Sequence, residues 1–300
     1  MLNVDPVVSD GEVAVAAAGE QLEILEAPKR PLGFFFWCCV GWMFILAIVT
    51  IFASFLPIKP VGTFYYNVGR DATPSFAHLL GTDELTRDVL SRLIYGGRVS
   101  LVIGLAGTAI GIGFGGVLGM MSAYVRGKFD AALSFAMYVV LAFPAIIAVI
   151  CLLEFWGRSE WHIIVILGLF SVPFIFRVVR ASTLACATKE YVTAARSQGA
   201  TTGRVLAKDI FPNVIPSLIA YTVFTFGGII TTEGALGFLG LSVPTPEPSW
   251  GTMIGEASGD VTVTLAYVLA PAIALFLTLV ALNYAGEQIR LRFDTSEQKL

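Results

Sequence analysis

The chain has 300 residues, 56% of them hydrophobic and only 14% charged, and a mean hydropathy of +0.79; soluble domains carry about 25% charged residues, so the composition excludes one and implies a multi-span membrane protein. A formal net charge of -3 and a pI near 5.5 exclude the basic footprint of a nucleic-acid binder. The four cysteines (Cys38, Cys39, Cys151, Cys186) show no CxxC spacing and the two histidines (His78, His162) lie far apart, which leaves no zinc cluster or disulfide framework and makes the cysteines small buried apolar residues.

In chain order, residues 1–30 form an acidic leader with Asp5, Asp10, Glu12, Glu20, Glu23 and Glu26 ahead of Lys29 and Arg30. A signal peptide places its basic residues before a short apolar stretch. Here the apolar run Pro31–Ile58 is long, so a solvated tail followed by a retained first span is expected. A spanning helix needs about 20 mainly apolar residues. Charge-free runs at Val99–Val125, Ala131–Leu153, Val214–Thr232 and Val261–Gly286 meet this, and the shorter Trp161–Phe176 extends to Arg177 and Arg180, whose heads can snorkel. The expectation is an all-α membrane protein with six transmembrane helices. Four regions follow: a tail (1–30), a first span with an outer loop (31–98), a five-helix core (99–287) and a C-terminal tail (288–300).

Residues 83–98 place Leu85, Val89, Leu93 and Ile94 on one helical face, with Arg87, Asp88, Ser91 and Arg92 elsewhere, which predicts an amphipathic helix leading into the second span. That span carries Gly107, Gly111, Gly115 and Gly119, a spacing that lets helix backbones touch in lipid. Its GxGxxG match (Gly111, Gly113, Gly116) does not open from a strand and is not a dinucleotide loop. Pro144, Pro173 and Pro271 are possible kinks, while Pro216 is expected in a harmless first turn. Lys and Arg are concentrated in alternate loops: Lys29, Arg30, Arg126, Lys128, Lys189, Arg196, Arg204, Lys208, Arg290 and Arg292 fall on one side, which the positive-inside rule makes cytoplasmic together with both termini. Lys59, Arg70, Arg87, Arg92 and Arg98 in the first outer loop run against the trend.

The long inner loop 188–212 reads Thr188-Lys-Glu-Tyr-Val-Thr-Ala-Ala-Arg-Ser-Gln-Gly199, then Ala-Thr-Thr-Gly-Arg-Val-Leu-Ala-Lys-Asp-Ile-Phe-Pro212. Thr188 suits an N-cap, Glu190 the positive end of a helix and Gly199 its C′ position. Thr201 or Thr202 suits the cap of a second short helix closed by Pro212 and Asn213. The outcome is a helix–glycine–helix elbow. Ala194 and Ala195 leave one face without bulk, where another protein can approach; an ordinary amphipathic connector is the plain alternative.

The run Glu190-Tyr-Val-Thr-Ala-Ala195 with Gly199-Ala200 and Ile210-Phe-Pro-Asn213 resembles the EAA loop of bacterial ABC importer permeases. Leu80-Gly-Thr-Asp83 through Arg98, Leu141-Ala-Phe-Pro144, Thr232-Glu-Gly-Ala-Leu-Gly-Phe-Leu-Gly-Leu241 and Pro248-Ser-Trp-Gly251 resemble the C-type permease of dipeptide and oligopeptide importers, from about residue 30 to 294. The resemblance implies the ABC type I importer permease fold, with EAA coupling helices that dock on an ATP-binding subunit. It assigns coupling to Glu190, Tyr191, Ala194, Ala195, Gly199 and Ala200. It also implies a homologous second permease (a heterodimer), two ABC ATPase subunits and an extracytoplasmic peptide-binding protein, in a bacterial plasma membrane. No cofactor is expected in this chain; ATP and Mg would be bound by the partner ATPases, and no GxxxxGK[ST] occurs here. Glu233, Phe226 and Tyr138 are candidate pathway or gate residues, Glu233 because an ionisable group inside a membrane is costly. Departures from the family pattern are Leu79 (usually proline), Thr86 (usually glycine), Asp209 (commonly histidine), and Phe135 and Tyr138, where many relatives carry an arginine and an aspartate. The expected function is a non-catalytic permease subunit of an ATP-driven di-/oligopeptide importer. A permease for nickel or another small solute, or a gradient-driven secondary transporter, are the alternatives.

Overall fold

The structure is a computed structural model, and it describes residues 33–258 and 265–297. The leader 1–30, the Pro31 start of the first span, the Val261 start of the last and the extreme C-terminus lie outside the described residues. Nine α-helical segments organise the rest: α1 (Phe34–Ile51), α2 (Val89–Val125), α3 (Gly127–Ala142), α4 (Ala145–Trp156), α5 (Glu160–Ala187), α6 (Glu190–Ser197), α7 (Thr202–Phe238), α8 (Trp250–Ala257) and α9 (Leu265–Glu297). Five of them (α1, α2, α5, α7, α9) are long and apolar enough to cross a membrane, and α3 with α4 makes a sixth span only as a pair bent by 86°. Pro144 produces that break. It holds Phe143 in extended backbone (ψ 138°) and restarts the helix from an extended cap, as a proline imposes on its predecessor. The third span expected at 131–153 is therefore broken.

At the centre, α5 packs on α2, α4 and α7. Gly107, Gly111, Gly115 and Gly119 lie along the α2 edge that meets it. A Cβ built on Gly115 would stand 2.7 Å from the Val172 carbonyl oxygen, and one on Gly119 2.8 Å from that of Phe176. Contacts ascend together in both helices, so α2 and α5 run parallel, whereas α7 is antiparallel, with Gly104 under Phe226 and Ile230. Gly111, Gly113 and Gly116 fall in or beside a π-turn (Ile112–Gly116) within α2. The helix α1 lies at the edge, held on α9 by Trp42 Nε1 donating to Thr278 Oγ1 (3.2 Å) and by Phe35 edge-on to Tyr284. Its outward face shows Phe44, Ile45 and Ile48, as a lipid-facing span should. Cys38 and Cys151 are exposed as well, so only Cys39 fits the expected buried role fully.

The amphipathic helix expected over 83–98 is replaced by something different. Asp88 caps α2, accepting from Ser91 N at 2.9 Å, so the helix begins at Val89 and runs straight into the span. Arg87 and Arg92 are buried rather than solvent-facing. Arg87 Nε donates to Asp83 Oδ2 (2.7 Å), Arg92 Nη1 lies 3.0 Å from the same oxygen, and both guanidinium groups reach Glu256 Oε2 on α8 (2.9 and 2.6 Å). Tyr267 on α9 donates to that oxygen too. Beside this cluster His78 Nδ1 meets Asp88 at 2.8 Å and its Nε2 meets Lys59 Nζ at 2.8 Å. The loop between α1 and α2 is thus fixed by internal ion pairs.

Thr86 takes φ +63°, and its buried hydroxyl has no hydrogen-bond partner. A β-branched residue in left-handed backbone costs about 1 kcal/mol or more. Thr86→Gly is accordingly expected to stabilise the protein by about 1 kcal/mol, read as a higher thermal midpoint of the purified complex; an unchanged or lower midpoint would contradict the assigned strain.

Candidate functional site

Two features share helix α7: an elbow at one end of the bundle and a groove along its length. The elbow begins where α5 ends. Thr188 closes α5, its hydroxyl donating to the Ala185 carbonyl, and Lys189, not Thr188, is the N-cap of α6. Glu190 stands in the first turn and Arg196 in the last, both on the favourable side of the helix dipole. At the other end Gly199 has φ +79°. Its N–H donates to Arg196 O (2.9 Å) and that of Ala200 to Ala195 O (3.1 Å), the paired bonds of a Schellman closure.

Thr201 then caps α7. The second short helix expected to close at Pro212 is instead the foot of a longer one: Thr202–Phe238 is helical throughout. A π-turn at Val205–Ile210 absorbs the hydrogen bond that Pro212 cannot make, and Asn213 Nδ2 donates to the Asp209 carbonyl (2.7 Å). Pro216 is likewise inside α7 and not in a first turn.

Val192, Val205, Ile210 and Val214 form a buried cluster with Ile175 and Val179, so both arms of the elbow are nailed to the foot of α5. Arg196 pins α6 to α2: its guanidinium lies 4.5 Å over the Tyr124 ring and Nε donates to the Tyr124 hydroxyl (3.1 Å). Nothing in the pattern of either segment announces that contact. Glu190, Tyr191, Ala194 and Gly199 are exposed together, while Ala195 and Ala200 turn half inward against the cluster. The smooth face is therefore Ala194's alone. Desolvation, with Cys186 and Asp209 close by, pushes the Tyr191 phenol up to about 12, which keeps it neutral. Beside the elbow, Arg180 does not snorkel: Nε and Nη2 both reach the Asp130 carboxylate at 2.7 Å, tying the first turn of α3 to α5.

The groove, of about 790 Å³, runs between α4, α5 and α7. Ser171, Phe174 and Arg177 face it from α5, and Tyr221, Thr225 and Thr232 from α7, with Ala145 and Val149 closing it from α4. Glu233, Phe226 and Tyr138, the candidates from sequence, are not among the residues that line this groove. Glu233 is wholly buried, turned toward α2, and accepts from Ser100 Oγ of α2 (2.9 Å) and Ser242 Oγ (2.7 Å). It clasps α2, α7 and the loop before α8, which is how a buried carboxylate is satisfied. Phe226 packs on Gly104. Tyr138 is exposed on α3, a helix with no buried residue. Sequence reasoning missed the groove-lining set, although Ser217, Tyr221, Phe224, Gly228 and Thr232 follow one helical face.

Residues 115–294 match the family described as binding-protein-dependent transport system inner membrane component. The glutathione transport system permease protein GsiD of Pectobacterium atrosepticum is 33% identical over 255 residues, covering 84% of each chain. The protein of that name from Escherichia coli O157:H7 is 31% identical over 253 residues, again 84% of each. Among solved structures, an inward-facing MetNI methionine ABC transporter (CY5 native crystal form) superposes with a TM-score of 0.58 at 20% identity, over 68% of this chain and 97% of that one, a likeness of fold. With that fold, this family match and these relatives, the chain belongs to the binding-protein-dependent transport inner-membrane components: it is a multi-pass permease subunit of an ABC importer, working with ATPase and substrate-binding partners.

Proposed function

We propose that this subunit passes short peptides, the chemical class that includes the glutathione of its named relatives, along the α4–α5–α7 groove, and that the elbow at 188–212 is where ATPase motion enters. One observation carries the proposal. The unbroken helical run Thr202–Phe238 has its foot in the elbow and its shaft in the groove wall, so that displacing the foot displaces Tyr221, Thr225 and Thr232. A packed helix is a stiff connector, and the elbow's apolar cluster with Ile175 and Val179 makes α5 move with it.

In this reading the elbow end is cytoplasmic, with both termini on that side, and a homologous permease completes the pathway as a heterodimer with two ATPase subunits. The extracytoplasmic binding protein delivers the peptide to the opposite end. ATP and Mg act in the ATPase subunits; this chain takes no part in bond chemistry. A nucleotide can drive such a switch only by binding one conformation more tightly than the other, and that difference arises at the partner. Reconstituted with its partners in vesicles, the complex is expected to accumulate labelled di- and tripeptides only with ATP, and vanadate is expected to stop it. Accumulation driven by a proton gradient without ATP would overturn the proposal.

A further inference from the structure

The two arginines near the elbow end of α5 have opposite circumstances. Arg180 is neutralised by Asp130. Arg177, one turn away, faces the groove, and no carboxylate among the described residues lies within ion-pair distance of it. The groove lining holds no aspartate or glutamate. The Arg177 side chain is exposed along that groove, and the group that best matches its planar fork is a carboxylate, with two parallel hydrogen bonds.

The hydroxyls further along the groove complement this. Thr225 Oγ1 donates to Tyr221 O (2.9 Å) and Thr232 Oγ1 to Gly228 O (2.9 Å), and both hydrogen bonds are exposed. Each hydrogen is spent on its own helix, so what these side chains offer a passing solute is oxygen lone pairs. One end of the groove donates to an anion and the rest accepts from N–H groups. That polarity fits a molecule with a terminal carboxylate followed by amides and an ammonium.

We infer that Arg177 is the specificity-determining residue of the groove, engaging the free C-terminal carboxylate of a peptide in transit, with Thr225 and Thr232 accepting from its N–H groups. The inference rests on the peptide reading above and deepens it. A transit site must bind well enough to admit the solute and weakly enough to release it, and one charge-assisted contact in a hydroxyl-lined groove meets both demands.

The test is ATP-driven uptake by the full complex in vesicles, comparing a labelled tripeptide with its C-terminal amide for wild type, Arg177→Gln and Arg177→Lys. Rates are expressed as variant over wild type for each peptide, so that selection by the binding protein cancels. Losing a hydrogen-bonded charge pair is expected to lower Arg177→Gln uptake of the acid about 10- to 100-fold. Uptake of the amide should stay within about twofold, since the amide never had that pair. Arg177→Lys, which keeps the charge without the fork, should fall between. Equal loss of both peptides, or no loss of either, overturns the inference. So does a defect that vanishes when anionic lipid is left out of the vesicles, since Arg177 would then be serving a headgroup. If the wild-type complex carries neither peptide, the peptide reading itself fails and this inference falls with it.

Discussion

Gly199→Pro is expected to abolish ATP-driven uptake while the protein still inserts and accumulates in the membrane. The glycine sits at φ +79°, and its N–H closes α6 on the Arg196 carbonyl. Proline can satisfy neither, since its φ is fixed near −65° and it has no N–H. A cost of about 3 kcal/mol at this hinge would lower the population of correctly folded elbow about 100-fold, and docking falls with that population. The five long spans lie outside the hinge, so the damage stays local. Two companions sharpen the result. Gly203→Ala, four residues on, meets nothing of this chain within 4 Å and has no left-handed φ, so the fold of the elbow and the membrane abundance should be unchanged. Glu190→Lys leaves the Schellman closure intact but reverses the charge of an exposed residue on the face proposed to dock, and should also stop uptake. Uptake and membrane abundance measured on the same vesicles decide the matter: wild-type uptake by Gly199→Pro or Glu190→Lys would remove the elbow from the coupling path.

How far the sequence could be read depended on the range of the interactions involved. Apolar runs gave five spans correctly because hydrophobic length is a local property, and Gly199 was legible because a C′ glycine follows from the helix it ends. The break at Pro144 could be suspected, but its 86° depends on how α4 packs on α5. Pro212 misled for the opposite reason: a local rule ends the helix there, yet burial of Val205, Ile210 and Val214 carries it through by way of a π-turn. Glu233 was singled out rightly as a costly buried acid, but its partners Ser100 and Ser242 are distant or featureless in sequence. The basic residues that disturb the Lys/Arg asymmetry in the first loop have a similar explanation: Arg87 and Arg92 are internal ion-pair members answering Asp83 and Glu256. Long-range pairing of this kind leaves no periodic trace.

Gly115→Val and Gly119→Leu are expected to leave little or no folded protein, whereas Gly113→Ala and Gly116→Ala, on the same helix, accumulate like wild type. The contrast is geometric. A Cβ at Gly115 or Gly119 would press on a backbone carbonyl of α5, at 2.7 and 2.8 Å, and backbone cannot step aside as a side chain tip can. At Gly113 and Gly116 nothing lies within 4 Å. Overpacking at such a contact costs about 3 kcal/mol, and in lipid no hydrophobic force between helices compensates for lost close packing. The yield of monodisperse detergent-extracted protein and its thermal midpoint would separate the two pairs. The outcome bears on the groove as well. Because the Val172 and Phe176 carbonyls and the Ile175 and Val179 side chains meet α2, the exposed face of α5 with Phe174 and Arg177 is left to the groove. If Gly115→Val accumulated normally, α2 would not fix the rotation of α5, and the orientation that puts Arg177 in the groove would lose its cause.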